Sequence, residues 1–216
     1  MPIQYFCRPL GAVFLWAALS ATVQGQNCGC LPLEDRPTVV LTDNGGAGTG
    51  TQTLSCDNIY LLDGFVYVNP NDVLTIEPGT VIQAKPGQGA AASCLIVARD
   101  AQILADGTAD CPIIFTYEGD ELNGSTPYNT RGLWGGVIVN GHGILNTYDG
   151  DDQAEGILDV TNAGRDVYGG SDNAGSSGIL RHLSIRHGGS EMPNPPVNFQ
   201  NKINGNETNG LSLNGV

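Results

Sequence analysis

The amino-acid sequence predicts an all-β protein, a parallel β-helix with three strands in each coil. Two observations carry this prediction: short apolar runs alternate with Gly, Pro, Asn and Asp, and these runs recur in groups of three. Glycine accounts for 31 of the 216 residues. This is about twice its ordinary share, yet no Gly-X-Y period accompanies it, so a collagen is excluded and the glycines are assigned to turns.

The strand runs are four or five residues long and rich in Val, Ile and Leu, a composition typical of strands. No longer stretch keeps the helical period of about 3.6 residues. The predicted strands are FVYV (65–68), VLTI (73–76), TVIQA (80–84), CLIVA (94–98), AQILA (101–105), PIIFT (112–116), GVIVN (136–140), HLSIR (182–186) and GLSLN (210–214).

The internal repeat is what favours a solenoid over a hairpin meander. The segment 65–84 aligns with 94–116 at an offset of about 29 residues, within the range in which an internal period signals stacked units. The alignment sets three pairs of positions against each other: Leu74 with Ile103, Gly79 with Gly107, and Val81 with Ile113.

A three-faced coil also explains the alternation inside the runs. Side chains two positions apart, such as Leu74 with Ile76 and Ile113 with Phe115, are expected to point into one continuous core. Gly79 is expected to turn the chain between faces, because glycine adopts positive φ without steric cost.

Composition and charge narrow the function classes. The chain has 22 acidic and 9 basic residues and a net charge of −13, so it lacks the basic surface that nucleic acids and anionic membranes require. We expect a lead-in at 26–57, containing Cys28, Cys30 and Cys56, and β-helix coils over 58–216.

Residues 1–25 are interpreted as a secretory signal peptide with an apolar run at 11–19 (GAVFLWAAL). The run is short for a membrane span, which needs about 20 apolar residues, and an uncleaved anchor is the alternative. No transmembrane segment is expected in the mature chain. The protein is therefore expected to be secreted, extracellular or at the cell surface.

An oxidising compartment favours disulfides. Cys7 lies in the signal, and the mature chain keeps an odd number of cysteines. The preferred pairing is Cys94 with Cys111, and Cys56 with Cys28 or Cys30. This leaves one thiol that is free, bonded to another chain, or paired with a cysteine beyond Val216. A zinc site at Cys28, Cys30 and Cys56 is a weaker alternative, because no histidine is near.

Several motifs occur in a fixed order: LTIEPGTVI (74–82), ILADGTADCPIIFT (103–116), WGGVIVNG (134–141), SSGILRHLSIRHGGSE (176–191) and INGNETNGLSLNGV (203–216). In these motifs the sequence resembles secreted right-handed parallel β-helix proteins of Bacteroidetes-type bacteria, which often carry a C-terminal secretion-sorting domain. The resemblance runs from about Ile59 to Val216 and implies a right-handed coil. It also implies further coils after Val216, so the chain is expected to be a fragment.

The candidate metal ligands are the acidic residues of YDGDDQAE, at Asp149, Asp151, Asp152 and Glu155. Their oxygens suit Ca²⁺, the one cofactor that the sequence suggests, and a solvated acidic loop is the alternative. His182 and His187 are interpreted as surface or corner residues because no third ligand is suitably spaced. His142 is interpreted as a turn residue between glycines.

Other candidates are weaker. Trp134 has a ring that would stack on a sugar, although WGG before a strand also suits packing. Asn123 and Asn206 lie in glycosylation sequons, which matter only in a eukaryotic source. No catalytic constellation is visible, so no catalytic residue is assigned.

Three functions remain after these exclusions. The first is a structural, adhesive or glycan-binding role toward extracellular polysaccharide or cell-surface components. The second is a carbohydrate-active enzyme, a calcium-dependent polysaccharide lyase or a glycoside hydrolase. The third is a fibre subunit that self-associates through the open C-terminal end or the unpaired cysteine.

Overall fold

A computed structural model describes residues 28–146, 150–154, 157, 161, 163–190, 211–214 and 216. Within them the regular structure is fifteen strands and three short 3₁₀ turns, at Leu33–Asp35, Asn44–Gly46 and Gly89–Ala91. The strands are β1 Thr38–Leu41, β2 Gln52–Leu54, β3 Ile59–Leu62, β4 Phe65–Val68, β5 Val73–Ile76, β6 Val81–Ala84, β7 Cys94–Val97, β8 Gln102–Asp106, β9 Ile113–Tyr117, β10 Gly136–Asn140, β11 Asp151–Gln153, β12 Val167–Gly169, β13 Gly178–Arg181, β14 Leu183–Ile185 and β15 Leu211–Asn214.

The strands form three parallel sheets that the chain visits in rotation. Sheet A holds β1, β3, β6, β9 and β14, sheet B holds β2, β5, β8 and β13, and sheet C holds β4, β7, β10 and β15. Every pairing within the three sheets is parallel. From β4 onward the order is C, B, A in each coil, so the prediction of a three-faced parallel β-helix is confirmed.

The coils begin earlier than residue 58. Thr38 pairs with Ile59 across β1 and β3, and Gln52 pairs with Leu74 across β2 and β5. The predicted lead-in at 26–57 therefore already contributes strands to sheets A and B. The sequence does not mark these strands, because Val39 and Val40 lie at a sheet edge, where Val40 is 52% exposed, and show no alternating pattern.

The interior is one ladder of apolar side chains. Leu74, Ile76, Ile113 and Phe115 are all buried in it, as expected from their spacing. On sheet C, Val66, Leu95 and Val137 occupy the same register in successive strands. Burying one such side chain contributes roughly 1.5–3 kcal/mol relative to exposing it, so the ladder supplies the main stabilisation of the coil.

One predicted register is wrong by one residue. Leu74 does pair with Ile103, but Val81 pairs with Ile114 rather than with Ile113. The neighbouring pair Ile82 and Phe115 faces the core from both strands. A shift of one residue would set an inward side chain against an outward one, so the buried faces determine the pairing.

The outer face of sheet C is covered as well. Tyr67, Ile96 and Ile138 point away from the interior and form a second buried cluster. The chain leaves the coil after β10 and returns at β13, and this excursion (141–177) carries the antiparallel hairpin of β11 and β12. Ala154 and Tyr168 of the excursion pack on the cluster.

The disulfides fasten the N-terminal segment to one corner of the coil. Cys28 is bonded to Cys111, and Cys30 to Cys56, which is one of the two partners expected for Cys56. Both bonds use thiols of the Cys28, Cys30 and Cys56 set, so the zinc alternative is wrong.

The predicted bond between Cys94 and Cys111 is also wrong. Cys94 begins β7 on the covered face of sheet C, whereas Cys111 lies in the turn between β8 and β9, where the N-terminal segment crosses. The Cys94 thiol is free, 1% exposed, and donates to the carbonyl of Gly136 at 3.0 Å. It is therefore unavailable for a bond to a second chain.

Candidate functional site

An open polar cavity of about 480 Å³ lies at the corner between sheets C and B. Its polar side chains come from two places. The turn between β7 and β8 supplies Asp100, the first residue of β8 supplies Gln102, and the two ends of the excursion supply His142, Asp172, Asn173 and Ser177. The excursion that covers sheet C therefore also builds one wall of the cavity.

Asp100 is positioned by a tight turn. The amide of Ala101 donates to the carbonyl of Ala98 at 3.1 Å, and Asp100 itself has a φ of +66°. Asn71 takes the same left-handed conformation, with a φ of +70°, and donates its amide to the Asp100 carbonyl at 2.9 Å. Asn and Asp adopt this conformation more readily than other side-chain-bearing residues, which explains their presence at successive corners.

His142 is paired with Asp100. The imidazole Nε2 lies 2.9 Å from Asp100 Oδ1, although 42 residues separate the two in sequence. His142 also packs against Gly170, where an added Cβ would lie 3.1 Å from the His142 carbonyl oxygen and 3.3 Å from its Nδ1. The pair is partly open to solvent, since 37% of the His142 side chain and 61% of the Asp100 side chain are exposed.

The return of the excursion is held against the same corner. The amide of Asp172 donates to the His142 carbonyl at 2.9 Å, and the Asn173 side chain accepts the amide of Ile144 at 2.8 Å. The Ser177 hydroxyl donates to the Asn140 carbonyl at 3.3 Å. These bonds connect the return of the excursion to its own start and to the end of β10, and they hold the cavity wall in place.

The chemistry of the cavity is that of a hydrogen-bonding site. Carboxylates, an imidazole, carboxamides and hydroxyls line it, and all of these groups exchange hydrogen bonds with sugar hydroxyls. None of the described lining residues is a phenylalanine, tyrosine, tryptophan, lysine or arginine. Binding here would therefore depend on polar contacts rather than on ring stacking.

The two histidines of the HLSIRH segment do not meet. His182 is exposed, and His187 is packed inside the coil edge; each has a positive φ, of +49° and +58°, as expected for corner residues. His187 Nδ1 lies 2.7 Å from the Thr130 carbonyl oxygen, and its Nε2 lies 3.8 Å from Asp120 Oδ2. The Asp120 side chain is only 4% exposed, so the contact between His187 and Asp120 is part of the packing of the coil.

The acidic candidates are only partly described. Asp151 and Asp152 lie on β11, and Asp151 Oδ2 is 3.8 Å from Arg99 Nη1, while Asp149 and Glu155 lie outside the described residues. In the described ranges no group of three His, Cys, Asp or Glu side chains is arranged to hold a metal ion. The four-carboxylate Ca²⁺ site stays a prediction.

Trp134 cannot stack on a sugar, which corrects its assignment as a ligand-binding residue. Its side chain is fully buried in the interior, and its Nε1 donates to the Arg186 carbonyl at 2.7 Å. The WGG motif therefore places Trp134 at a packing position, as the alternative to sugar stacking predicted. Asn123 is exposed in a turn and its glycosylation stays a prediction, while Asn206 lies outside the described residues.

The fold and the site together define the class of the protein: a disulfide-bonded parallel β-helix with a polar cavity on an outer corner. Among the residues described, no helix is long and apolar enough to cross a membrane. Both features are compatible with an extracellular protein.

The family follows from the sequence comparisons. The family described as pectate-lyase-like β-helix domain matches residues 46–216, most of the chain, and the protein belongs to it. No curated protein and no solved structure gave a match.

Proposed function

We propose that the protein is a secreted or cell-surface β-helix that binds glycans through the cavity containing Asp100 and His142. The observation that carries this proposal is the cavity itself, whose partly exposed imidazole, carboxylates and carboxamides converge at a corner built by two separate parts of the chain. A rigid coil with a polar recess suits a hydroxyl-rich ligand, because fixed hydrogen-bonding groups lose little entropy on binding.

The test is calorimetric titration of the full mature chain with a panel of soluble oligosaccharides. The His142→Asn variant is expected to weaken binding by about tenfold, the equivalent of about one lost hydrogen bond to a charged or strongly polar group. His182→Asn is the matched control, because His182 is exposed outside the cavity. Equal affinities for the two variants would place the binding site elsewhere.

A carbohydrate-active enzyme is the second candidate, and the family match favours it. In a calcium-dependent lyase, the carboxylates at Asp151 and Asp152 would contribute to the metal site. Incubation with polygalacturonate and Ca²⁺ would then produce unsaturated uronides that absorb in the ultraviolet. Loss of this signal on chelation and in Asp151→Ala would support the enzyme, whereas no signal from the wild-type chain would reject it.

A further inference from the structure

The cavity carries a charge that restricts its ligand. Asp100 and Asp172 both line it together with His142, and neither a lysine nor an arginine is among its described lining residues. With one imidazole against two carboxylates, the lining stays negative whichever state His142 adopts.

Arg99 and Arg181, which lie near lining residues of the cavity in sequence, are engaged elsewhere. Arg99 precedes Asp100 in sequence, but its Nη1 donates to the Gly169 carbonyl at 2.8 Å and lies 3.8 Å from Asp151 Oδ2. Arg181 is paired with Asp106 at 3.3 Å. Neither side chain lines the cavity, so neither would neutralise a carboxylate on a bound sugar.

The carboxylates are also held by their own turns. Asp172 Oδ1 accepts the amide of Ala174 at 2.9 Å, and Asp100 Oδ1 contacts His142 Nε2 at 2.9 Å. Each of these contacts uses only one of the two carboxylate oxygens. A carboxylate has room for further donors, and an ammonium group supplies three of them.

We propose that the cavity selects amino sugars, in which a protonated amine is bound by Asp100 and Asp172, and discriminates against uronic acids. This inference rests on the proposed glycan binding and assigns the ligand class of the same site. Neutral sugars are expected to bind with intermediate affinity through the carboxamide and hydroxyl groups. The net charge of −13 acts in the same direction, because it lowers the local concentration of polyanions.

The experiment is titration of the mature chain with length-matched tetramers of glucosamine, N-acetylglucosamine and galacturonate, without divalent cations and at low salt. Affinity is expected to decrease in that order, by about tenfold from each tetramer to the next, because the ligand changes from cationic to neutral to anionic. Raising the salt concentration is expected to weaken the glucosamine tetramer most, since screening acts on charge pairs.

Asp100→Asn and Asp172→Asn are the test variants, because asparagine keeps both the left-handed tolerance at position 100 and the turn acceptor at position 172. Each is expected to reduce the preference for glucosamine over N-acetylglucosamine. Asp110→Asn removes the same charge from an exposed turn outside the cavity and is expected to leave the preference unchanged. Thermal melts of the variants check that the coil is intact.

The outcomes separate the two proposals. Tight binding of galacturonate, or equal affinity for all three tetramers, would overturn the selection of amino sugars while leaving glycan binding in place. Binding that persists unchanged in both aspartate variants would also overturn it. Failure of every oligosaccharide to bind the wild-type chain would reject the proposed function itself.

Discussion

Arg165 and Asp43, which are 122 residues apart in sequence, form a two-pronged ion pair with Nη1 to Oδ1 at 2.7 Å and Nη2 to Oδ2 at 3.0 Å. The guanidinium also lies over the ring of Tyr67, 3.8 Å from its centre. The Arg165 side chain is 2% exposed. This contact joins the excursion to the first coil across the outer face of sheet C.

Replacing Arg165 with alanine is expected to lower the free energy of unfolding by about 3 kcal/mol, because removing one partner leaves the other charge poorly solvated. Arg181→Ala is the control, since its pair with Asp106 is more than half exposed on the arginine side. Exposed pairs contribute about 1 kcal/mol or less. Urea unfolding of both variants measures the difference, and equal losses would contradict the anchoring role.

The disulfides are expected to contribute unequally. Cys28 and Cys111 close a loop with a sequence separation of 83, and Cys30 and Cys56 one of 26. Loop-closure entropy predicts losses of about 4.5 and about 3.5 kcal/mol for the corresponding double serine variants. Chemical denaturation gives both values. Peptide mapping without reductant checks the pairing, and a peptide joining Cys94 to Cys111 would contradict the structure.

How far the sequence predicts this fold depends on the periodicity of each segment. Strands such as FVYV and VLTI are predictable to the residue because turn residues bound them and their apolar side chains alternate or cluster. The hairpin of β11 and β12 is not predictable in this way. The first strand of the hairpin, Asp151–Gln153, is polar. This strand forms by pairing with β12 rather than by burial of its own side chains.

The cavity is not predictable from the sequence either. Asp100, His142 and Asp172 are spread over three segments, and each resembles an ordinary turn residue in the sequence. Only the stacking of corners places them together. One sequence signal does point to the excursion. CLIVA is apolar throughout, and GVIVN is apolar up to its last residue, Asn140. Such runs are typical of strands buried on both faces, so they indicate that another element covers the outer face.

The free thiol at Cys94 predicts an alkaline loss of stability. Burial raises the pKa of the Cys94 thiol above its ordinary value of 9.0, so the folded chain binds this proton more tightly than the unfolded chain does. The contribution of the thiol is fully present below pH 9.0 and is lost progressively as the pH rises above it.

Above that value, the wild-type free energy of unfolding is expected to fall by up to about 1.4 kcal/mol per pH unit more than that of Cys94→Ala. The difference between the two proteins removes the contributions of tyrosines and lysines, which titrate in both. Parallel alkaline and neutral denaturation curves measure it. A difference that stays constant from about pH 8 to about pH 10 would show that the thiol titrates normally.

Gly79 is required by the corner that the disulfides hold. Its φ is +81°, and an added Cβ would lie 3.1 Å from both Cys28 Cβ and Cys30 Sγ. Gly64 has nearly the same φ, +79°, but an added Cβ there would meet nothing within 4 Å. Gly64→Ala therefore measures the cost of the left-handed backbone alone, about 1–2 kcal/mol.

Gly79→Ala is expected to lose more than Gly64→Ala, by about 1–2 kcal/mol, because the crowded neighbours are cross-linked and cannot move apart freely. In a Cys30→Ser, Cys56→Ser background residue 30 is no longer cross-linked, so the extra loss of Gly79→Ala over Gly64→Ala is expected to shrink. Thermal or urea unfolding of six proteins completes the cycle: the parent chain, Gly79→Ala and Gly64→Ala, each with and without the disulfide. An excess that is unchanged without the disulfide would mean that the crowding at Gly79 does not depend on the cross-link.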